Sequence, residues 1–509
     1  MRKIYEADKD AYITNKVIRG NRVTGSNVGY AGTLDLFKLY GVTSSGTYPN
    51  LEPNKELTRV LMHFDLASLK SLVEQKKIDI DDDSFFCKLV LKDVYGGQPT
   101  PNNFTVSVFP LSASFDEGIG KDVSYYSDRD VCNWMSSSLT SAWFMSGCAA
   151  ACFATGSGDY ITSSLSIPNT EVTQIFKTGV EDLEVDVTKI VSATMTNELP
   201  DSGFRISFKN SLEDDSFTYF VKRFASRHAY DDTKRPKLIM GFDDSIQDDT
   251  QSLTFDKPNQ INLYNFSGGD LANIVSGSLL TPIIGSNSLY LKLMTDVVSG
   301  TYNLIFTASQ YSLGKNEKCF VTGTYAADVT VLSSDAVIKQ KLLSSSSVKF
   351  TPVWMSLDQT VAYVTGSTLT FYPTNKTSSR RTKNYVVTVS NAKESYRTDE
   401  EPIVRVNIFD NTSPLIKVTR LPVTLSGVVL RDVYYQVRNV VTDEIVVPFD
   451  DLKKSTRVSS DSEGMFFKLD VDSLAVGKTY TIDILVHHDG TKTRYQNVSA
   501  PFKITAADS

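Results

Sequence analysis

The sequence predicts an all-β protein with a large N-terminal jelly-roll-like sandwich followed by two smaller, immunoglobulin-like β-sandwich domains. Short runs in which apolar and polar residues alternate recur along the chain, and a period of two is typical of strands with one buried face. Aromatic residues make up 11% of the composition, and Tyr and Phe favour strands. A chain of 509 residues is too long for one hydrophobic core, and a size of about 150 residues per domain predicts about three domains.

The first predicted domain comprises residues 1–244. Its opening strands are predicted at residues 10–15, 27–37 and 57–66, where apolar residues recur two apart between turn residues. Near the end of the domain, apolar side chains alternate again on both sides of a polar turn. The polar run that follows, up to Thr250, has too few apolar residues to bury a face, so we predict a linker there.

A long insertion, residues 113–166, interrupts the first domain. It is rich in serine and other small residues, and this composition is too small and polar for a core of its own. Long loops of this kind are either functional or packed against a neighbour, and tryptophans bury well at protein interfaces. We therefore predict that Trp134, Trp143 and Phe144 contact other subunits.

The rest of the chain predicts two further sandwiches, at residues 251–375 and 384–509. Short alternating segments separated by turn residues occur throughout both ranges. The second range contains about seven of these segments, as an immunoglobulin-like sandwich would. Between the two sandwiches, residues 373–383 are polar and poor in strand-forming residues, which predicts a second linker.

Charge and hydropathy exclude several classes of partner. The 52 basic and 59 acidic side chains give a formal charge of -7 without a long basic run, so we expect no nucleic-acid partner. The most apolar window, residues 142–154, is only about half of the ~20 residues that a membrane helix needs, so we expect no membrane insertion. No apolar segment follows the charged N-terminus, which predicts that a secretory signal is absent, and the scattered cysteines are typical of reduced thiols.

The sequence offers little for catalysis or cofactor binding. The common catalytic and nucleotide-binding motifs are absent. Three clusters have side chains that could hold a metal ion or act on a sugar, namely Cys148 with Cys152, the group of Asp79, Asp81, Asp82 and Asp83, and Asp116 with Glu117. Ordinary packing or a solvated acidic turn is favoured for each, because ligand number and spacing do not match a zinc, EF-hand or glycosidase site. Adjacent His487 and His488 would point to opposite faces of a strand and could not chelate one ion together. We predict no catalytic, cofactor-binding or metal-binding residues.

Several segments of the first half resemble the DNRLRE-type β-sandwich family. Residues 10–13 are similar to the opening "DAYI" strand of that family, and residues 59–66 match its pattern R-x-L-x-x-F-D-L. Further segments occur in the order found in virion structural proteins of large contractile-tailed bacteriophages, at residues 183–191, 197–208 and 219–245. Residues 434–480 resemble the C-terminal part of the same group of proteins.

The resemblance implies a non-enzymatic structural subunit of a tailed-phage virion, located in the neck, in the tail or on the capsid and synthesised in the host bacterial cytoplasm. Its partners would be other virion proteins and copies of itself in a symmetric assembly. The alternative is a carbohydrate-binding or host-adhesion module with a host surface glycan as partner, because DNRLRE-type domains resemble polysaccharide-binding sandwiches. A third interpretation, an enzyme acting on cell-wall sugars, requires a cleft with paired carboxylates.

Overall fold

The computed structural model of the protein describes residues 1–41, 54–94, 96–97, 100–124, 131–297, 300–314, 319–374, 383–411 and 427–507. It confirms the predicted all-β class, with 45% strand and 7% helix. The chain divides into two compact units, an N-terminal unit of Lys3–Glu74 and Phe85–Gly241 and a C-terminal unit of Met1–Arg2, Gln75–Ser84 and Phe242–Ser509. Within the described ranges, no helix is both long enough and apolar enough to cross a membrane.

The N-terminal unit is built mainly from short strands. In chain order these are β1 (Arg2–Glu6), β2 (Lys9–Thr14), β3 (Val17–Ile18), β4 (Asn21–Arg22), β5 (Thr33–Gly41), β6 (Asn54–His63), β7 (Phe86–Leu91), β8 (Phe104–Pro110), β9 (Ala151–Phe153), β10 (Tyr160–Ser163), β11 (Val172–Phe176), β12 (Leu183–Asp186), β13 (Phe204–Phe208), β14 (Tyr219–Ala225) and β15 (Lys237–Gly241). Its helices are α1 (Ala67–Glu74), α2 (Thr188–Met195) and α3 (Asn210–Asp214).

Two larger sheets form the framework of the N-terminal unit. One has four strands in the order β1-β15-β7-β12, and the other has seven, in the order β11-β8-β13-β6-β5-β14 with β2 paired to β6. The strands predicted at residues 10–15 and 57–66 are therefore direct neighbours, and Ala11 lies opposite Leu61. Val60, Leu61 and Met62 are all inaccessible to solvent, so β6 is covered on both faces.

The C-terminal unit continues the all-β pattern. Its strands are β16 (Asn259–Tyr264), β17 (Phe266–Ser267), β18 (Asp270–Leu271), β19 (Val275–Ser276), β20 (Thr281–Pro282), β21 (Leu289–Val297), β22 (Gly300–Leu313), β23 (Cys319–Val329), β24 (Val348–Met355), β25 (Ala362–Thr365), β26 (Leu369–Phe371), β27 (Tyr385–Val389), β28 (Ser395–Arg397), β29 (Ile403–Asp410), β30 (Val433–Asn439), β31 (Ile445–Val447), β32 (Ser459–Asp461), β33 (Gly464–Lys468), β34 (Thr479–His488), β35 (Thr491–Tyr495) and β36 (Phe502–Thr505). Its helix is α4 (Ala336–Ser344).

The strands of the C-terminal unit enclose two separate hydrophobic cores. A seven-stranded sheet has the order β16-β23-β22-β21-β24-β25 with β26 paired to β24, and buried residues between Leu253 and Phe371 form its core. A four-stranded sheet, β27-β29-β33-β32, and a six-stranded sheet, β28-β36-β34-β30-β31 with β35, share the second core, which includes stacked Tyr435 and Phe467. Two packed sheets around one core are the arrangement of a β-sandwich.

The polar run at residues 245–250 is buried in the C-terminal unit, although its lack of apolar residues predicted a linker. Gln247, Asp248 and Asp249 are at most 7% exposed. The Asp248 N–H donates to the Ser460 hydroxyl at 2.8 Å, and the Asp249 carboxylate pairs with Arg431. The hydrogen bond to Ser460 of β32 and the ion pair with Arg431 therefore offset part of the desolvation cost of these polar groups. Residues 375–382, most of the second predicted linker, lie outside the described residues.

We expect the stability of the C-terminal unit to depend on pH through the carboxyl group of Asp248. One of its carboxylate oxygens is buried without a hydrogen-bond partner, and burial raises the pKa of Asp248 to about 6. A carboxyl group whose pKa is higher in the folded than in the unfolded chain binds more protons when folded, so stability falls as pH rises from about 4 to about 6. We expect D248N to be more stable than the natural protein at pH 7.5, by roughly 1–3 kcal/mol, and equally stable near pH 4.

Urea unfolding measured between pH 4 and pH 7.5 checks this prediction. Asp472 is an exposed carboxylate of the same unit, so D472N serves as the control and should follow the natural protein at every pH. Equal stability of D248N and the natural protein at pH 7.5 would show that the Asp248 carboxylate carries no burial cost.

Candidate functional site

Trp134 and Trp143, which the sequence predicted as subunit contacts, lie inside the N-terminal unit. Their side chains are only 8% and 6% exposed, and they pack on the face of the larger sheet that carries Ala11 and Leu61. The indole Nε1 of Trp143 donates a hydrogen bond of 2.8 Å to the carbonyl of Asn133. The two tryptophans therefore complete the core of their own unit, because the insertion covers an apolar face of the sheet.

Residues 135–145, which we call the exposed hairpin, carry a group of accessible apolar side chains within the insertion. Backbone hydrogen bonds join Trp143 to Met135 and Ser137 to Ser141. Large apolar side chains of this hairpin are open to solvent, with exposed fractions of 49% for Met135, 67% for Leu139, 70% for Phe144 and 56% for Met145. Of the three predicted contact residues, only Phe144 can thus be reached by another protein.

The buried carboxylate of Asp159 holds the C-terminal end of the exposed hairpin. One oxygen accepts the N–H of Phe144 at 2.6 Å, and the other accepts the N–H groups of Met145 and Ala150 at 3.0 and 2.8 Å. Asp159 is only 2% exposed, and hydrogen bonds to a charged acceptor are among the stronger ones in proteins. The backbone beneath Phe144 and Met145 is therefore fixed while their side chains stay in solvent.

A buried ion pair also holds the insertion. Arg59, on β6, donates to both carboxylate oxygens of Glu213 on α3 at 3.1 and 2.6 Å, and to the carbonyl of Gly147 at 2.5 Å. The same guanidinium lies 5.3 Å from the centre of the Trp134 ring. Both partners of the ion pair are almost inaccessible, so loss of one would leave an uncompensated buried charge.

The buried side chain of Asn27 joins two glycine-containing turns. Its amide nitrogen donates to the carbonyls of Glu117 and Cys132 at 2.6 and 2.8 Å, and its oxygen accepts the N–H groups of Gly29 and Gly120 at 3.1 and 3.0 Å. A β-carbon at Gly29 would lie 2.0 Å from the carbonyl oxygen of Glu117, so only glycine fits there. These contacts fix the position of Glu117.

Asp10, Glu117, Arg227 and His228 meet in a cluster that we call the polar junction. Arg227 donates to both carboxylate oxygens of Glu117 at 2.6 and 2.8 Å, while the N–H of Asp10 donates to Glu117 Oε1 at 2.9 Å. The N–H of Arg227 in turn donates to Asp10 Oδ2 at 2.6 Å. The junction therefore joins strand β2, the loop after β8 and the turn after β14.

Burial dominates the electrostatics of the polar junction. It raises the pKa of Asp10 to about 7, although the hydrogen bond from Arg227 opposes this shift. It also lowers the pKa of His228, which favours the neutral imidazole at neutral pH. Asp10 Oδ1 and His228 Nε2 are buried and have no hydrogen-bond partner. Within the described ranges, the junction is the group in which three metal-ligating side chains come together.

The acidic cluster at residues 79–83 stabilises its own turn. Asp79 Oδ1 accepts the N–H of Asp81 at 3.1 Å, and Asp82 Oδ1 accepts the N–H of Ser84 at 2.8 Å. Such carboxylate-to-backbone bonds are typical of acidic turns. Asp116 is exposed whereas Glu117 is paired with Arg227, so these adjacent carboxylates do not face one substrate together.

The candidate thiol pair of the insertion is buried, and the two adjacent histidines contact different aromatic rings. Cys148 and Cys152 are free and buried, and burial raises the pKa of Cys148 to about 12, which keeps its thiol protonated. His487 lies 5.3 Å from the ring of Tyr434, while His488 lies 5.6 Å from the ring of Tyr385.

Sequence reasoning missed Asn27, Asp159 and the polar junction. Of the junction residues, only Glu117 stands out in the sequence, as the neighbour of Asp116 in a candidate carboxylate pair. A usable signal was the pair of glycine-spaced segments, Asn27-Val28-Gly29 and Glu117-Gly118-Ile119-Gly120, which mark backbones that approach closely. No sequence pattern of this kind marks Asp159, because its carboxylate accepts hydrogen bonds from backbone N–H groups.

Comparisons with protein-family models and with curated proteins give no relative from which a role could be transferred. No protein-family model matches the chain, and no curated protein matches it. Among the described residues, the exposed hairpin and the polar junction are the structural features that can support a functional proposal.

Loss of the Asp159 carboxylate should destabilise the N-terminal unit. D159A leaves three backbone N–H groups without their acceptor, so we expect the free energy of unfolding to fall by about 2–4 kcal/mol. D159N retains one acceptor oxygen and should lose roughly half as much. Urea unfolding followed by tryptophan fluorescence measures the change.

The matched control for this prediction is T140A, at an exposed position of the same hairpin, which should alter stability by less than about 0.5 kcal/mol. A D159A variant as stable as T140A would contradict the role given to Asp159.

Proposed function

We propose that this protein is a non-enzymatic structural subunit of a tailed-phage virion that acts through repeated contacts with copies of itself and with other virion proteins. The observation that carries the proposal is the exposed hairpin, where Leu139, Phe144 and Met145 are more than half exposed and Asp159 holds the backbone of Phe144 and Met145. Exposed apolar groups that occur together on a soluble protein are typical of interaction sites.

A fixed backbone suits this role on energetic grounds. Association costs free energy for every loop and side chain that becomes ordered, and a segment that is already held by buried hydrogen bonds avoids part of that cost. Phe and Met are also side chains that interfaces favour, and a few such anchors contribute most of the binding energy. Phe144 and Leu139 are the most exposed of the large apolar side chains in the hairpin, at 70% and 67%, so they are the anchor residues of the proposal.

The resemblance of the chain's first half and of residues 434–480 to virion structural proteins supports the choice of assembly. Rigid sandwiches repeated with symmetry present the same hairpin many times, so a modest contact gains strength through multiplicity. The proposed partners are thus neck, tail or capsid proteins and further copies of the chain.

Substitutions at the hairpin should weaken association without unfolding the protein. We expect the double variant L139S/F144S to raise the dissociation constant of the self-assembled protein at least about tenfold, because two apolar anchors lose their contact area. Sedimentation velocity over a range of protein concentrations measures this change. L165S is the matched control, because Leu165 is 87% exposed on the same insertion but lies outside the hairpin.

Purified phage particles test the proposed location. An antibody against the chain should label particles at one structural position, and particles assembled with L139S/F144S should carry less of the protein than those with L165S. Absence of the protein from particles, together with a monomeric state at all concentrations, would contradict the proposal. Specific binding to a host surface glycan by such a monomer would instead support the adhesion module.

A further inference from the structure

We propose that Asp10, Glu117 and His228 form a binding site for a divalent transition-metal ion of the zinc type. One potential ligand atom from each side chain lies within 4.8 Å of the other two. His228 Nε2 and Glu117 Oε1 are 3.4 Å apart, outside hydrogen-bonding geometry. Such spacing lets one ion contact all three atoms after small movements, since zinc bonds to nitrogen and oxygen are about 2.0–2.2 Å long.

Two buried atoms of the cluster lack hydrogen-bond partners, and this observation points to a ligand. Asp10 is fully buried, yet its Oδ1 has no hydrogen-bond partner, and the same holds for His228 Nε2. Buried polar atoms normally find a partner in the protein or in a bound water or ion. A cation bound within the cluster would give both of these atoms a partner.

The remaining contacts of these side chains orient them for this role. Asp10 Oδ2 accepts the N–H of Arg227, which leaves Oδ1 as the free oxygen. The His228 ring lies against Tyr30 with centroids 4.1 Å apart, and its backbone N–H donates to the Ser226 hydroxyl at 3.0 Å. Groups that fix the orientation of a ligand are a regular feature of metal sites.

The ligand set determines which ion is favoured. One imidazole nitrogen with two carboxylate oxygens suits zinc and related transition metals. Calcium prefers six to eight oxygen ligands, which this set does not supply. Three protein ligands would leave one position of a tetrahedral zinc ion for water or for a group from another molecule.

Arg227 is the charge that opposes metal binding. Its guanidinium uses both oxygens of Glu117, so an incoming cation must share Glu117 with it and meets its positive charge. When Asp10 and Glu117 are both ionised, their two negative charges together exceed the single positive charge of the Arg227 guanidinium. Removing the competitor should therefore strengthen metal binding, whereas removing a ligand should weaken it.

Isothermal titration calorimetry tests the proposal. The full-length protein is treated with a chelator and then titrated with zinc chloride. We expect D10N and H228Q each to weaken one binding event at least about tenfold, and R227Q to preserve or strengthen it. H63Q is the matched control, because His63 pairs with Asp8 and Asp201 outside the junction and should leave zinc affinity unchanged.

A second measurement covers the case in which a variant folds poorly. Zinc should raise the melting temperature of the natural protein and of H63Q but not of H228Q, whose side chain is only partly buried and whose turn is held by backbone contacts. Zinc binding of equal strength in the natural protein, D10N and H228Q would overturn the proposal, as would binding of calcium but not zinc.

Discussion

The N-terminal unit depends on one buried amide, the side chain of Asn27. Its hydrogen bonds connect the turn before β5 to the turn that starts the insertion, and glycines at both turns leave the space that this close approach requires. Because a buried amide must satisfy its donors and acceptors, the two turns have little freedom to separate. The position of Glu117, and with it the polar junction, follows from this constraint.

Buried polar groups, together with the buried tryptophans, hold the insertion in place. Asn27 holds its start, Asp159 holds the exposed hairpin, and the Arg59–Glu213 ion pair holds the carbonyl of Gly147. The tryptophans can then cover the sheet face while Phe144 remains in solvent. The two proposals use different parts of this arrangement, since the contact surface lies on the hairpin and the metal site lies at the junction.

The strand pattern could be read from the sequence, because alternation reports directly on which residues face a core. The predicted strands at residues 10–15 and 57–66 and the all-β class are confirmed.

The burial of Trp134 and Trp143 within their own unit could not be predicted from the sequence, because an indole is equally suited to an interface and to the covering of a sheet face. Residues 245–250 were predicted as a linker because a local pattern does not show their hydrogen-bond partners, which lie around Ser460, more than two hundred positions away in the sequence. The junction combines Asp10, Glu117 and His228 from three distant segments, and no local spacing indicates such a meeting.

Native-state hydrogen exchange tests most directly whether buried polar side chains make the insertion an integral part of the N-terminal unit. The amides of Gly120, Phe144 and Ala150 donate to Asn27 and Asp159, so they should exchange only when the whole unit opens, with the same protection as the amides of β6. Fast exchange at these three positions while β6 stays protected would contradict the account, because it would show that the insertion opens independently of the sheet it covers.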